Sequence, residues 1–218
     1  MKQENKSFRE QDFSQQSFQE AIFENCQFYL CNFSHADLRD AQFINCKFIE
    51  AGENTGCQFD YADLRDASFK ECRLGMANFQ GANGFGCEFR ECDLQGASFI
   101  RTSFINQISH KSYFCSVYIT GCNLSYTNFE KQCIEKCDLF ENRWVGANLR
   151  NTSFKGSDLS RGDFSSDSWG QFDMQYCDLS NCELHGLDPR RVNLNGVKIC
   201  DWQQEQLLEP LGVVVLPS

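Results

Sequence analysis

Residues 21–43 read AIFENCQFYLCNFSHADLRDAQF, and a Phe or Leu returns in this stretch every five residues. Two positions before each of these central residues stands Ala or Cys. The same period runs without a gap from Phe8 to Phe48, and it resumes in a new register from Phe59 to Ile199. An α-helix repeats every 3.6 residues and a strand every two, so neither produces this period. The period therefore describes the whole fold rather than one element.

The repeat predicts a four-sided coil built from units of five residues. The central Phe or Leu and the small residue two places earlier point inward, and the other three residues point outward. Four units close a square turn of about 20 residues, and successive turns stack like neighbouring strands about 4.8 Å apart. We therefore predict an all-β solenoid of about nine to ten turns and about 45 Å in length, whose ends need covers.

The 14 cysteines follow the repeat rather than a disulfide framework. Eleven of them stand two residues before a centre, a position that they share with nine alanines. A position filled by either Ala or Cys selects for small volume, as buried free thiols commonly do. No C-x-x-C pair occurs, so we predict no disulfide, no metal site and no cofactor. Cys115, Cys133 and Cys200 lie outside this position.

The charge of the chain argues against direct nucleic-acid binding. The net charge is −10 with a pI near 4.8, whereas phosphate backbones require a basic surface. An acidic chain suits a basic partner, although solubility alone also explains the charge. The charge is uneven, because residues 49–99 carry nine acids and four bases while residues 100–150 carry four acids and six bases.

No motif for catalysis, nucleotide binding or membrane insertion is present in the sequence. His35, His110 and His185 are scattered, and the acidic residues occupy outward positions on all sides, which gives no cleft for acid–base chemistry. We therefore expect a binding protein rather than an enzyme. The chain has no apolar run of about 18 residues and no apolar leader, which favours a cytoplasmic protein that does not contact a membrane.

Two interruptions of the repeat predict projecting loops. Eleven residues separate Phe48 from Phe59, where ten would keep the register, so we interpret Ile49–Gly56 as a short loop with one extra residue. The centre expected before Phe114 falls on a serine, so we interpret Ile105–Tyr113 as a larger loop. Loops on a rigid scaffold often carry function, and a harmless insertion is the alternative for the larger one.

Gly84 also occupies a central position, with Phe85 one place later, and we interpret this as a local adjustment of the register.

The period ends at Ile199, and residues 200–218 predict a short helix followed by an apolar tail. Asp201 is a plausible N-cap, and Pro210 stops the helix. A solenoid needs its open end covered, and the surplus of apolar surface could also pair two copies. We therefore divide the chain into a coil (1–199) and a capping and dimerisation tail (200–218). A monomer with simple capping is the alternative.

Several stretches resemble the Qnr quinolone-resistance proteins of the pentapeptide-repeat family. They include YADLRDASFK (61–70), GCEFRECDLQGASF (86–99), YFCS (113–116), EKCDLFENRW (135–144) and GLDPRRVNLNGVKICDWQQEQLLEPLGVVVLP (186–217). The resemblance implies a right-handed quadrilateral β-helix that binds DNA gyrase and topoisomerase IV and protects them against fluoroquinolones. It also implies a homodimer formed through the C-terminal ends, and a need for both loops.

The resemblance implies roles for individual residues. The first topoisomerase-interaction loop comprises Glu50, Gly52, Glu53, Asn54, Thr55 and Gly56, and the second comprises Ile105, Asn106, Gln107, Ile108, Ser109, His110, Lys111, Ser112 and Tyr113. Residues expected to support the loops are Cys72, Cys92, Gly96, Phe114, Cys115, Ser116 and Leu159. The expected dimer interface comprises Trp202, Leu207, Leu208, Leu211, Val213, Val214, Val215 and Leu216.

Two mechanisms remain open for such a protein. In DNA mimicry the acidic rod takes the place of duplex DNA in the enzyme groove. In loop-directed recognition the rod positions two loops against the drug-bearing enzyme, and this account fits the register breaks better. A non-catalytic scaffold or immunity module that binds another basic partner is the alternative function.

Overall fold

The computed structural model is a four-sided β-helix, and it describes residues 1–110 and 112–216. Residues one turn apart pair in parallel, as Phe23 does with Phe43 and Asp138 with Asp158. The N–H of each centre donates to a carbonyl on the next turn, for example from Phe13 to Asn32 at 2.8 Å. One turn therefore takes 20 residues, and the predicted repeat fold is confirmed.

The four faces of the coil are defined by their central residues. Face 1 carries Phe8, Phe28 and Phe48, face 2 carries Phe13, Phe33 and Phe59, face 3 carries Phe18, Leu38 and Leu64, and face 4 carries Phe23, Phe43 and Phe69. The later turns continue these four columns. Because consecutive centres fall on consecutive faces, a loop inserted between two centres leaves the coil near the edge between their faces.

Regular strands are short because each side of the coil holds only five residues. The strands are β1 (Lys2–Glu4), β2 (Ser7–Arg9), β3 (Ile22–Glu24), β4 (Gln27–Tyr29), β5 (Gln42–Ile44), β6 (Ser68–Lys70), β7 (Cys87–Arg90), β8 (Ile105–Ser109), β9 (Ser112–Cys115), β10 (Val117–Thr120), β11 (Thr152–Ser153) and β12 (Phe172–Asp173). Face 4 is the most regular, with β1, β3, β5, β6, β7 and β10 in one parallel sheet. The pairs β2–β4 and β11–β12 are also parallel, whereas β8–β9 is antiparallel.

Stacked aromatic rings fill the axis of the coil. Phe13, Phe33, Phe59, Phe79, Phe99 and Phe129 form a column on face 2, with neighbouring ring centroids 4.5 to 5.1 Å apart. Rings on adjacent faces meet edge to face, as Phe23 and Phe28 do at 83°. The strand spacing sets the stacking distance, and each buried Phe contributes about 1.5–3 kcal/mol. This packing explains why Phe dominates the central positions.

The small position beside each centre accepts residues with or without a hydrogen-bond donor. Where it holds Cys or Thr, the side chain often donates to the carbonyl of a centre on the preceding turn. The Cys72 thiol donates to Phe43 O at 3.3 Å, and the Thr102 hydroxyl makes the equivalent bond to Phe79 O at 2.8 Å. Cysteine is therefore small enough for the position and also supplies a donor, which alanine does not.

The corners of the coil lie two residues after each centre and adopt left-handed backbone. Many are Asn, Asp, Glu or Tyr, at a cost of about 1 kcal/mol each, so the surrounding turns must impose this conformation. At Gly96 (φ 71°) a Cβ would lie 2.5 Å from Met76 Sδ, the side chain of the corner one turn below. A side chain at Gly96 would therefore have to displace the flexible end of Met76.

The two interruptions are larger than the sequence analysis predicts. Asn32 pairs with Gln58, 26 rather than 20 residues away, so the first interruption inserts six residues and the prediction of one extra residue is wrong. Phe59 follows Phe48 on the next face, because its ring stacks on Phe33. Glu88 pairs with Tyr118, 30 residues away, so the second interruption inserts ten residues.

Gly84 does not mark a register shift, contrary to the prediction. Its neighbour Asn83 pairs in register with Ser103, and Gly84 itself is buried. A Cβ at this position would lie 2.9 Å from the Phe104 ring, which fills the space left by the missing side chain. The following residue, Phe85, consequently points outward.

The C-terminal segment covers the last turns of the coil. It consists of a 3₁₀ turn (Asp201–Gln203), helix α1 (Gln204–Leu208) and a second 3₁₀ turn (Glu209–Leu211). The fully buried Gln203 amide donates to Leu179 O at 2.9 Å and to Cys182 O at 2.7 Å, which satisfies carbonyls that no further turn can reach. The cap residue is Cys200 rather than the predicted Asp201, which lies in the first turn.

Across the described residues, each helix is too short or too polar to cross a lipid bilayer.

Candidate functional site

The second interruption forms a β-hairpin that projects from the edge between faces 3 and 4. Its strands β8 and β9 pair Ile105 with Cys115 and Gln107 with Tyr113. The Gln107 side-chain amide donates to the carbonyls of Ser109 and Ser112, which holds the two strands together near the tip. Ile108 is 69% exposed there, although it is apolar. The hairpin therefore presents apolar surface on a scaffold with its own hydrogen bonds.

The hairpin extends beyond the range predicted from the sequence. Phe114 is the predicted next centre of the coil, but it lies in β9 and is 45% exposed. Cys115 also lies in β9, so both residues belong to the hairpin itself. Of the predicted loop residues, Ile105 is half-buried, and the exposed ones are Asn106, Gln107, Ile108, Ser109, His110, Ser112 and Tyr113. Lys111 lies outside the described residues.

Aromatic packing holds one side of the hairpin against the coil. The Phe114 ring meets Phe85 edge to face, with centroids 5.1 Å apart and planes at 79°. Phe85 is half-buried on the turn below, and it points outward because Gly84 occupies the central position. At the base of the hairpin, Ser116 N–H donates to Phe104 O at 3.0 Å and Ser116 O accepts from Gly86 N–H at 2.7 Å.

A polar chain holds the other side of the hairpin against the turn above. The Tyr113 hydroxyl donates to Glu135 Oε2 at 3.2 Å, and the Cys133 thiol donates to the Tyr113 oxygen at 3.7 Å. Ser153 fixes the same carboxylate through Glu135 Oε1 at 2.6 Å. The Cys133 sulfur and the Glu135 carboxylate beside the hydroxyl disfavour the phenolate and raise the pKa of Tyr113.

Cys115 and Cys133 are in direct contact beside this chain. Their Sγ atoms are 3.8 Å apart, and both side chains are half-buried. Contact with the Cys133 thiol lowers the pKa of Cys115, and the same contact raises the pKa of Cys133. A cleft of about 240 Å³, lined by Tyr113, Cys115, Glu135 and Lys136 among others, opens beside the pair.

The first interruption is a loop without strands at the edge between faces 1 and 2. Residues 51–55, which include Gly52, Glu53, Asn54 and Thr55, are exposed. Glu50 is half-buried and forms an ion pair with Arg9. Gly56 is buried, and a Cβ there would lie 2.5 Å from Gly75 O and 2.6 Å from the backbone of the two following residues. The loop therefore ends in a position that only glycine fits.

The loop and the hairpin leave diagonally opposite edges of the coil, because one follows face 1 and the other follows face 3. Their starting points differ by about two and a half turns, or about 12 Å along the axis. They therefore present two separate surfaces rather than one joined site.

The other residues assigned to loop support lie within the coil. Cys72 and Cys92 are buried in small positions, and Leu159 is a fully buried centre. Burial is the main cause that raises the pKa of Cys72. These three residues act on either loop only through the packing of the coil.

Most of the predicted dimer-interface residues are exposed in the single chain. Val214 and Leu216 are about 80% exposed, and Trp202, Leu211, Val213 and Val215 are between 41% and 48% exposed. Leu207 is half-buried against the core, and Leu208 is also half-buried. The tail therefore leaves an apolar surface next to the cap.

Face 4 carries a row of acidic side chains toward its C-terminal end. Asp138, Asp158 and Asp178 occupy the same position on three successive turns, and Glu88 precedes them in that column. Lys198 follows on the next turn, with Nζ 3.9 Å from Asp178 Oδ2. Within residues 1–110 and 112–216, no group of three or more metal-ligating side chains comes together.

Sequence reasoning missed three residues that hold these features in place: Phe85, Cys133 and Gln203. The signal for Phe85 was present, since a glycine at a central position followed by Phe departs from the repeat. Cys133 is likewise a cysteine outside the small position. No local signal distinguishes Gln203, because its partners lie 24 and 21 residues earlier in the chain.

Comparison with known proteins agrees with this architecture. A family model for a pentapeptide repeat region matches residues 16–99, and one for pentapeptide repeats matches residues 133–166. A pentapeptide repeat protein from Vibrio parahaemolyticus, VPA0095, is 58% identical over 143 residues, which are 66% of each chain. The quinolone resistance pentapeptide repeat protein QnrB96 of Scandinavium goeteborgense is 48% identical over 53% of this chain and 54% of its own. The alignments thus span between about half and two thirds of these relatives.

A solved structure extends the likeness to nearly the whole chain. The full-length structure of QnrB1, described as a plasmid-mediated fluoroquinolone resistance protein, superposes with a TM-score of 0.94 at 43% identity. The match covers 98% of this chain and 100% of that one. The five-residue period and the four-sided coil define the class of pentapeptide-repeat proteins. The chain belongs to that family and, within it, to the Qnr quinolone-resistance proteins.

Proposed function

We propose that this protein binds the bacterial type II topoisomerases DNA gyrase and topoisomerase IV in the cytoplasm and protects them from fluoroquinolones. The observation that carries the proposal is the superposition on QnrB1 over 98% of the chain. The role is one of binding rather than catalysis, and it needs no cofactor and no direct contact with nucleic acid. The alternative, a scaffold or immunity module, predicts no effect on a drug-inhibited topoisomerase.

Loop-directed recognition is the mechanism that the geometry supports best. The hairpin projects an apolar tip at Ile108 and is held by Phe85 on one turn and by Glu135 on another. A preorganised element of this kind binds a partner with little loss of conformational entropy. The loop that contains Glu53 lies at the opposite edge, so the coil acts as a spacer between two contacts.

DNA mimicry is the second candidate mechanism, and the acidic row on face 4 favours it. Asp138, Asp158 and Asp178 repeat at the spacing of the turns, about 4.8 Å. Such a row suits a basic groove. It covers only part of one face, however, and residues 100–150 hold more bases than acids.

A homodimer formed through the C-terminal ends is part of the proposal. The exposed apolar residues from Val213 to Leu216 adjoin the cap formed by Gln203, so pairing there would extend the coil end to end. Two-fold pairing of one patch with its own copy is the commonest closed arrangement.

The decisive experiment is DNA supercoiling by purified gyrase in the presence of ciprofloxacin, with and without this protein. We expect the protein to restore supercoiling at drug concentrations that otherwise inhibit the enzyme.

Deleting the ten residues Ile105–Phe114 joins Phe104 to Cys115 and restores the five-residue spacing up to the centre Ile119. We expect this variant to keep the coil, as measured by circular dichroism and thermal unfolding, and to lose protection.

A matched deletion tests the first loop in the same assay. Removing the six residues Ala51–Gly56 leaves Glu50 as an ordinary corner and brings Phe59 five residues after Phe48.

The triple variant Asp138→Asn, Asp158→Asn, Asp178→Asn tests the acidic row. If the variant without the hairpin still protects gyrase and the triple variant does not, loop-directed recognition is overturned in favour of mimicry. Failure of the unaltered protein to protect gyrase or topoisomerase IV would overturn the proposed function.

A further inference from the structure

We propose that Cys115 and Cys133 form a redox-responsive dithiol that closes to an intramolecular disulfide at the base of the hairpin. The two sulfurs are already in contact at 3.8 Å, and one belongs to the hairpin while the other belongs to the coil. A covalent bond needs an approach of about 1.8 Å, to an S–S length of about 2.05 Å. Rotation of the two side chains, together with a small tilt of the hairpin, supplies this movement.

The other cysteines in small positions provide an internal contrast. Successive turns also bring their sulfurs near one another, as the contact of the Cys72 N–H with Cys92 Sγ at 3.4 Å indicates. Those thiols are buried, most of them donate hydrogen bonds to backbone carbonyls, and burial raises the pKa of Cys177 to about 12, although contact with Cys57 lowers the pKa of Cys31. Inaccessible thiols react slowly with oxidants whatever their pKa. Cys115 and Cys133 are half-buried instead, and Cys115 lines an open cleft.

The environment of Cys115 favours its role as the attacking thiol. The neighbouring Cys133 thiol can turn its proton from Tyr113 toward the Cys115 sulfur and so stabilise the thiolate. Lys136 and Glu135, of opposite charge, line the same cleft. We take a low-molecular-weight disulfide of the glutathione type as the oxidant, because the half-buried Cys115 opens to a cleft of about 240 Å³ that a small molecule can enter.

The reaction is a two-step thiol–disulfide exchange. The Cys115 thiolate attacks one sulfur of the oxidant, so that a mixed disulfide forms and one thiol leaves with the proton that Cys115 gave up. The Cys133 thiol then loses its proton and attacks Cys115 Sγ, which releases the second small thiol. Two protein thiols and one small disulfide yield one protein disulfide and two small thiols, and the oxidant takes up two electrons.

The bond would change how the hairpin is held. It would join the last residue of β9 directly to the turn that carries Glu135. It would also remove the thiol proton that Cys133 donates to the Tyr113 oxygen. Oxidation therefore replaces weak hydrogen bonds of the thiols with one covalent bond between the hairpin and the coil, beside the exposed surface of the hairpin.

The test uses the folded protein with Cys200→Ser, since Cys200 is the remaining half-buried thiol. The protein is incubated with oxidised glutathione, then denatured, alkylated and weighed as an intact chain. We expect the mass to fall by two hydrogen atoms before alkylation, and the alkylated thiols to fall from 13 to 11. Proteolytic mapping should find one linkage, between Cys115 and Cys133, which dithiothreitol reverses.

Two single variants in the same background provide matched controls. Cys133→Ser should leave Cys115 with a stable glutathionyl adduct, and Cys115→Ser should give no internal linkage. Circular dichroism confirms that each variant retains the coil. The proposal is overturned if the unaltered pair stays reduced, if Cys115 keeps a mixed disulfide while Cys133 is present, or if cysteines in small positions cross-link to a similar extent. Because these outcomes concern thiol chemistry alone, they are independent of any effect on topoisomerases.

Discussion

The two interruptions of the coil differ in how they are held. The first inserts six residues without strands and meets the coil through the buried Gly56 and the ion pair between Glu50 and Arg9. The second inserts ten residues that form their own antiparallel ladder and contact the turns below and above. The first therefore depends on one tightly packed backbone position, whereas the second depends on several side chains. Substitutions should consequently affect the two by different routes.

The largest expected effect is that of Gly56→Ala. A Cβ at this position would lie 2.5–2.6 Å from backbone atoms of the next turn, which cannot rotate away as a side chain can. We expect the free energy of unfolding to fall by about 3 kcal/mol, as in overpacked cores. Urea unfolding followed by circular dichroism measures this change.

Gly52→Ala is the matched control within the same loop. A Cβ there has no atom within 4 Å, so only its left-handed backbone (φ 88°) opposes the change. We expect a loss of about 1 kcal/mol or less. If the free energy of unfolding falls equally in both variants, the loop relaxes around the added Cβ. The contrast between a tightly packed first loop and a hairpin with its own strand pairing would then not hold.

An intermediate effect is expected from the ring pair that supports the hairpin. The Phe85 and Phe114 rings meet edge to face at 5.1 Å. The variants Phe85→Leu and Phe114→Leu, alone and combined, form a double-mutant cycle, for which we expect a coupling of about 1 kcal/mol. Amide hydrogen exchange in β8 and β9 reports the local opening of the hairpin. Strictly additive changes would mean that the hairpin does not rely on this contact.

The sequence alone predicts the coil because the five-residue pattern recurs on every side of the coil. Most units from Ala21 onward pair a large central residue with a small residue two places earlier, so one exception such as Gly84 does not obscure the pattern. The edges from which the loops leave could not be derived in this way. The spacing of eleven residues from Phe48 to Phe59 fits either two sides of the coil with one extra residue or one side with six extra residues. The stacking of the Phe59 ring on Phe33 shows that six residues are inserted.

The contacts of the hairpin were harder to predict than its existence. A missing centre between Phe104 and Phe114 locates the interruption, but Phe114 still fits the period by chance. Its real partner, Phe85, lies 29 residues earlier in the chain, and Cys133 follows Cys115 by 18 residues. Such pairs depend on the stacking of turns around an insertion of ten residues, which composition and spacing do not reveal.

The smallest expected effect is that of Glu50→Gln, which removes the ion pair with Arg9. Both side chains are about half exposed, so solvent screens the attraction and we expect the melting temperature to change by less than about 2 °C. Glu53→Gln is the control, since Glu53 is exposed and makes no ion pair within the described part of the chain. Any difference between the two should disappear near 1 M salt, where the screening length is about 3 Å. A larger shift that persists in salt would mean that charge holds the first loop as firmly as side-chain packing holds the hairpin.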